Sequence, residues 1–294
     1  MPATPYISPA AFAAHPTYLD MDDLRSGSAQ EADQTAELAN LLLMASQWAD
    51  NEIDQPFGAH VRTQRCRARI DRSGILRLHP DRTPVIAVAS VGYGLTPTAL
   101  TTVSGTGAWV EDDRNILLPL DAGSASWSGS LQFGRPASGD VFVQATYTAG
   151  YVTTTLASPA VAGAMSLTVS DPTGIVPGGS YRIWEPGSEE TVTVADSWTP
   201  PAATVPPAAA AVTLAAPALS AHAAGHDFSG LPADVRLAVV NYAVSLLMRP
   251  DTASEDAYPD TPLASGTRRN DPRRDGSGLV AEAARILSSY GRVR

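Results

Sequence analysis

His222 and His226, four residues apart in HAAGH, are the pair in this chain whose spacing most suggests metal chemistry. On a helix an i, i+4 pair puts both imidazoles on one face, as ligation of a divalent metal requires. Here a glycine lies inside the spacing and the nearest carboxylate is Asp227, so the sequence favours a polar loop over a metal centre. Asp20, Asp22 and Asp23 have the density of a cation site but lack the tight, glycine-bent loop that oxygen ligation uses. They read as a solvated acidic face. No Walker-type phosphate loop and no glycine-flanked serine elbow occurs, and Gly105-Thr106-Gly107 reads as a turn.

The most distinctive charged feature is a row of arginines. Arg65, Arg67 and Arg69 alternate with Cys66, Ala68 and Ile70, so a strand would carry three guanidiniums on one face and small or apolar side chains on the other. Such a row suits an acidic partner or DNA. A solvated strand face balanced by Asp50, Glu52 and Asp54 is the simpler alternative, because surface pairs add little stability. Cys66 is the only cysteine, which excludes an intrachain disulfide and a cysteine metal cluster and makes it a small buried residue. Trp127 and Trp184 lie in turn-rich surroundings, as interface anchors or caps of a small core, with the core favoured for Trp184.

Charge is unevenly distributed. The chain has 294 residues, a net charge of −10 and no lysine. Residues 1–60 hold nine acids and one base, Arg25, whereas residues 61–82 hold seven arginines against Asp71 and Asp81. An acidic balance argues against wrapping duplex DNA by phosphate neutralisation, and suits a surface that nucleic acid passes without sticking. No apolar run approaches the roughly 18 residues of a membrane span, and the first residues show no signal-peptide pattern. These features lead us to expect a soluble protein made in a reducing cytoplasm, with no cofactor and no membrane contact.

The elements that would position these residues fall into four blocks. Ser8-Pro9 caps a short helix to about His15, and Leu38, Leu41, Leu42, Ala45, Trp48 and Ala49 make the stripe of a helix over about 35–51. Strands are expected at RTQRCRARI, GILRLH, PVIAVASVGYG, AWVE, NILLPL and DVFVQATYT, with a hairpin turn at Asp71–Gly74. Residues 152–230 read as a β-rich module of short Val/Thr/Leu strands, Asp-Pro and Pro-Gly turns and a Pro/Ala-rich loop. A helix then starts at Pro232, buries Val235, Ala238, Val239, Tyr242, Leu246 and Leu247, and is expected to stop at Pro250. Residues 251–277 read as flexible, and a last helix over 279–290 shows Leu279, Ala283, Ile286, Leu287 and Tyr290 as its stripe.

In this order, several stretches resemble the head-to-tail connector (adaptor) proteins of long-tailed bacteriophages. They are AELANLLLMASQWADNEID, LRLHPDRTPVIAVASV, VFVQATYTAGYV, LPADVRLAVVNYAVSLLMRP and the closing AARILSSYGRVR. The resemblance implies an α+β subunit with a helical core, a long N-terminal helix plus C-terminal helices, beside a β-strand region and an inserted small β module. It divides the chain into an adaptor core at 1–151, the insertion at 152–230, a core helix at 231–250, and a linker with a portal-docking tail at 251–294.

The resemblance further implies a virion neck component, made in the host bacterial cytoplasm, forming a ring commonly of twelve copies under the portal protein. Such a ring extends the DNA channel, through which DNA passes without sequence-specific binding, and docks a tail-side neck or tail-terminator protein. Portal contact is expected from Leu279, Ile286, Leu287, Tyr290, Arg292 and Arg294. Leu38, Leu41, Leu42, Trp48, Val239, Tyr242 and Leu246 are expected in the core or the subunit interface. No enzymatic activity comes with the resemblance. The rival expectation is a tail-completion or minor tail protein whose β module binds a receptor or carbohydrate. A hydrolase using His222 and His226 comes third.

Overall fold

A computed structural model describes residues 4–16, 30–71, 74–120, 140–202, 204, 206–256 and 277–291, with backbone alone at 249–256 and 277. It overturns the expected helical core. The chain is mostly β: a seven-stranded antiparallel sheet curled into a half-barrel, two smaller sheets, and few helices. The apolar stripes of helices accumulate over long segments and stand out in a sequence. Short strands signal weakly one by one, yet each buries a whole side when paired. Two compact units result, one of Gly58–Tyr151 with Thr173–Val176, the other of Met1–Phe57, Val152–Pro172 and Pro177–Arg294.

In the sheet unit, β1 (His60–Ile70), β2 (Ile75–Leu78), β3 (Val85–Thr96), β4 (Ala99–Ser104), β5 (Trp109–Glu111), β6 (Asn115–Pro119) and β7 (Asp140–Ala149) pair in the order β4-β3-β7-β1-β2-β6-β5. The stretch VFVQATYT lies on β7, an interior strand flanked by β3 and β1. Val141, Val143, Ala145 and Tyr147 point into a continuous apolar cluster with Ala68, Ile70, Leu76, Leu78, Val91 and Leu118, and every second residue of β7 is buried. Each large apolar side chain buried in this way contributes about 1.5–3 kcal/mol. β7 ends at Gly150, whose φ of +102° only glycine adopts without strain and whose N–H donates to the Pro84 carbonyl. The Gly105–Gly107 turn is a single 3-10 turn, and a Cβ on Gly105 would overlap the Val88 carbonyl.

The second unit carries the helices. Ser8 Oγ accepts from the Ala11 N–H and caps α1 (Pro9–Ala13). In α2 (Glu31–Glu52), Leu38, Leu42, Ala45 and Ala49 are buried at three- and four-residue steps. α3 (Ala233–Asp256) packs on both α2 and α4 (Ser277–Leu287). The expected stop at Pro250 is not observed. A proline removes one backbone donor and tends to kink a helix, but flanking residues can stay helical. The same unit contains a four-stranded sheet ordered β11-β10-β13-β8 and a two-stranded one, β12-β9. Their strands are β8 (Thr153–Thr155), β9 (Ser166–Val169), β10 (Ser180–Trp184), β11 (Glu190–Thr193), β12 (Ala210–Thr213) and β13 (Asp227–Ser229).

Candidate functional site

Strand pairing turns the arginine row into a surface. In an antiparallel ladder, directly opposed residues share a face. Arg65 opposes Gln144, Arg67 opposes Phe142, Arg69 opposes both Asp140 and Arg77, and Thr63 opposes Thr146. Arg65, Arg67 and Arg69 are exposed. The Arg65 Nε donates to Gln144 Oε1 at 2.8 Å, and the Arg67 guanidinium lies 4.7 Å from the centre of the Phe142 ring. Arg77 pairs with Glu111 at 3.0 Å. Among the described residues, none of Arg65, Arg67 and Arg69 forms an ion pair. Asp50, expected to balance the row, is instead buried and accepts from the Tyr6 hydroxyl at 2.6 Å and the Phe57 N–H at 3.0 Å.

The opposite face of the same strands ends in a polar knot. The buried Tyr147 hydroxyl donates to Asp81 Oδ1 at 2.5 Å, with Gln64 Oε1 a second acceptor at 3.1 Å, and Arg62 holds Asp81 Oδ2 at 2.6 Å. Burial and the Asp81 carboxylate push the Tyr147 hydroxyl well above its ordinary value. Burial also raises the Asp81 carboxyl, but hydrogen bonds from Arg62 and Tyr147 outweigh it and hold the group below the usual aspartate range. Cys66 is half-buried against the apolar cluster, and burial pushes its thiol up.

His222 and His226 meet carboxylates, which the HAAGH stretch alone does not contain. His222 is buried, with Nδ1 at 2.8 Å from Glu185 Oε2 and Nε2 at 2.6 Å from Glu190 Oε1. His226 Nε2 lies 3.3 Å from Glu185 Oε1. Glu190 also accepts the N–H groups of Leu219 and Ser220. Burial raises its carboxyl, but the His222 ring and these two amides prevail and hold it below the ordinary glutamate value. The His222 contacts are hydrogen bonds, and among the described residues no group of three or more His, Cys, Asp or Glu is arranged to hold a metal. The fixed loop presents Leu219 at 82 % exposure, and Ala218 pairs with Gly163 and Ala164 between the exposed Val161 and Met165.

A groove of about 300 Å³ lies in the helix-bearing unit, lined among others by Ile7, His15, Trp184, Glu189, Arg236 and Leu237. Trp184 sits between two guanidiniums, Arg236 at 4.5 Å and Arg182 at 4.7 Å. It is half-buried, and its Nε1 has no hydrogen-bond partner among the described residues. Behind it Arg236 donates to Asp227 Oδ2 at 2.7 Å and to the Tyr6 carbonyl at 3.1 Å, while the Ser8 N–H donates to Asp227 Oδ1 at 3.0 Å. This buried tie joins the N-terminal segment, β13 and α3. It had no sequence signal beyond the residue types.

On the helices, Leu38, Leu42 and Val239 are fully buried, while Leu41, Trp48, Tyr242 and Leu246 are half-buried. Trp48 and Tyr242 stack with centroids 4.1 Å apart. Leu287 is buried, Leu279 and Ile286 are half-buried, and the Tyr290 hydroxyl donates to Asp234 at 2.8 Å. Asp20, Asp22, Asp23, Trp127, Arg292 and Arg294 lie outside the described residues. Among the described residues no helix is long and apolar enough to cross a membrane. Comparison with protein-family models, with curated proteins and with solved structures finds no match.

Proposed function

We propose that this chain is a virion structural protein, an adaptor subunit that forms a ring under the portal, extends the DNA channel and docks the tail. The observation that carries the reading is the order of the resembling stretches along the chain. They fall on α2, on β2 and β3, on β7 through Tyr151, on α3 and on α4. Exposed apolar residues on two helices, Met44 on α2 and Leu237 on α3, are the kind of surface that subunit contact would cover. The reading assigns no reaction to the protein.

The test is to mix purified protein with purified portal and image the product. A ring coaxial with the portal is expected; persistent monomers without portal binding would sink the reading. The exposed aliphatic tip at Val161, Met165 and Leu219 favours a second role, in which the β module docks a protein on the tail side. Changing Leu219 to Asp separates the two, since a portal ring that still forms but no longer binds tail components assigns the tip to tail docking.

A further inference from the structure

We propose that the outward arginine row of the seven-stranded sheet is a sequence-independent contact for the phosphate backbone of duplex DNA. The inference deepens the adaptor reading by naming residues that face DNA, and rests on it for the choice of DNA as the polyanion. Successive same-face residues of a strand lie about 6.6–6.8 Å apart. Arg65, Arg67 and Arg69 therefore form a row of three charges at near-even intervals, comparable to successive phosphates along one strand, with Asp140 opposite Arg69 at one end. A lone carboxylate would be met by a single guanidinium fork; an evenly spaced row matches a polymer charged at every repeat.

The side chains are held ready. Gln144 accepts from the Arg65 Nε, and the Arg67 guanidinium sits over the face of the Phe142 ring. A guanidinium already held by a neighbour loses less freedom when it binds. Thr63 and Thr146, joined by a 3.1 Å hydrogen bond, border the row with hydroxyls of the kind that contact phosphate. Because Arg67 occupies the Phe142 ring, base stacking plays no part and the contact reads no sequence.

The row also lies in the positive part of an acidic chain. Residues 58–151 hold nine arginines and seven acids, against a net charge of −10 for the whole. The remainder of the chain repels the same polyanion, so binding is weak and salt-dependent, as suits DNA that must move past.

The experiment is a fluorescence-anisotropy titration of the full chain against a labelled duplex of arbitrary sequence, from about 50 to 200 mM salt. Wild type should bind at low salt with a clear salt dependence. R65A/R67A/R69A should lose roughly tenfold or more in affinity at low salt, and the slope of log K against log salt should shrink by about 0.9 for each phosphate contact removed. R65K/R67K/R69K, which keeps the charges, should retain most of the binding. Thermal melts of both variants check that the sheet is intact. No binding by wild type at about 50 mM salt overturns the proposal. So does an alanine variant that binds as tightly as wild type, or a row that binds poly-glutamate and not DNA, which would make the partner an acidic protein. The portal-mixing result is scored separately: missing rings refute the adaptor reading, while the titration judges the row.

Discussion

The two units treat charge in opposite ways. The sheet unit keeps its core apolar and sets Arg65, Arg67, Arg69 and Arg77 on the outer face, where an ion pair such as Arg77–Glu111 is worth about 0–1 kcal/mol. The helix-bearing unit buries charge: Asp227 with Arg236, and His222 between Glu185 and Glu190. Apart from the Tyr147–Asp81–Arg62 knot, the sheet unit rests on burial that is indifferent to direction. The other depends on particular atoms meeting, so removing one partner costs far more than the pair itself contributes.

The largest effect expected from breaking this contrast comes from Asp227→Asn. It leaves Arg236 buried without its carboxylate and should destabilise the helix-bearing unit by about 3–5 kcal/mol. Denaturant unfolding followed by tryptophan fluorescence would read it through Trp184, which stacks on that guanidinium. A loss below about 1 kcal/mol would mean that the pair is solvated and the contrast between the units is false. Next is Gly105→Ala in the sheet unit, where a methyl group must displace the Val88 carbonyl. Overpacking of this kind costs about 1–3 kcal/mol, read as a lowered melting temperature of the sheet.

The smallest effect concerns pH. Glu190 is held below its ordinary value, so its contribution is complete above the unfolded glutamate value, about 4.3. It is lost as pH falls further, through the lower folded value. Glu190→Gln should cost about 1 kcal/mol at neutral pH and flatten the acid limb of the stability curve. Identical acid limbs in wild type and variant would remove Glu190 from the account.

Local alternation was legible in the sequence. The inward and outward residues of β7 follow from VFVQATYT alone, and the arginine face of β1 follows from RTQRCRARI. β4 was not legible, because ALTTVS is largely exposed and carries no apolar period. The dominance of the sheet was hidden for a related reason: its core is assembled from strands that individually bury only a few residues. At the candidate sites, the row itself was readable, but Gln144 and Phe142 reach it only through strand register. The partners of His222 lie 37 and 32 positions away, across the β10–β11 hairpin, so the HAAGH stretch looked like a ligand pair without carboxylates. Arg236 and Asp227 carried no periodic signal at all. The β-rich segment 152–230 supplies Asp227, so deleting that segment strands Arg236 and is no clean test of what the module does.

The tie between Ser8 and Asp227 also orders events during synthesis. The two residues are 219 positions apart. At about 5–20 residues per second, the carboxylate emerges from the ribosome on the order of ten seconds or more after the amide it accepts from. All seven strands of the large sheet lie within residues 60–149, so their pairings can form while the rest of the chain is still being made. Tyr6 can meet Asp50 on α2 early, whereas the Ser8 amide gains its carboxylate only once β13 has been made.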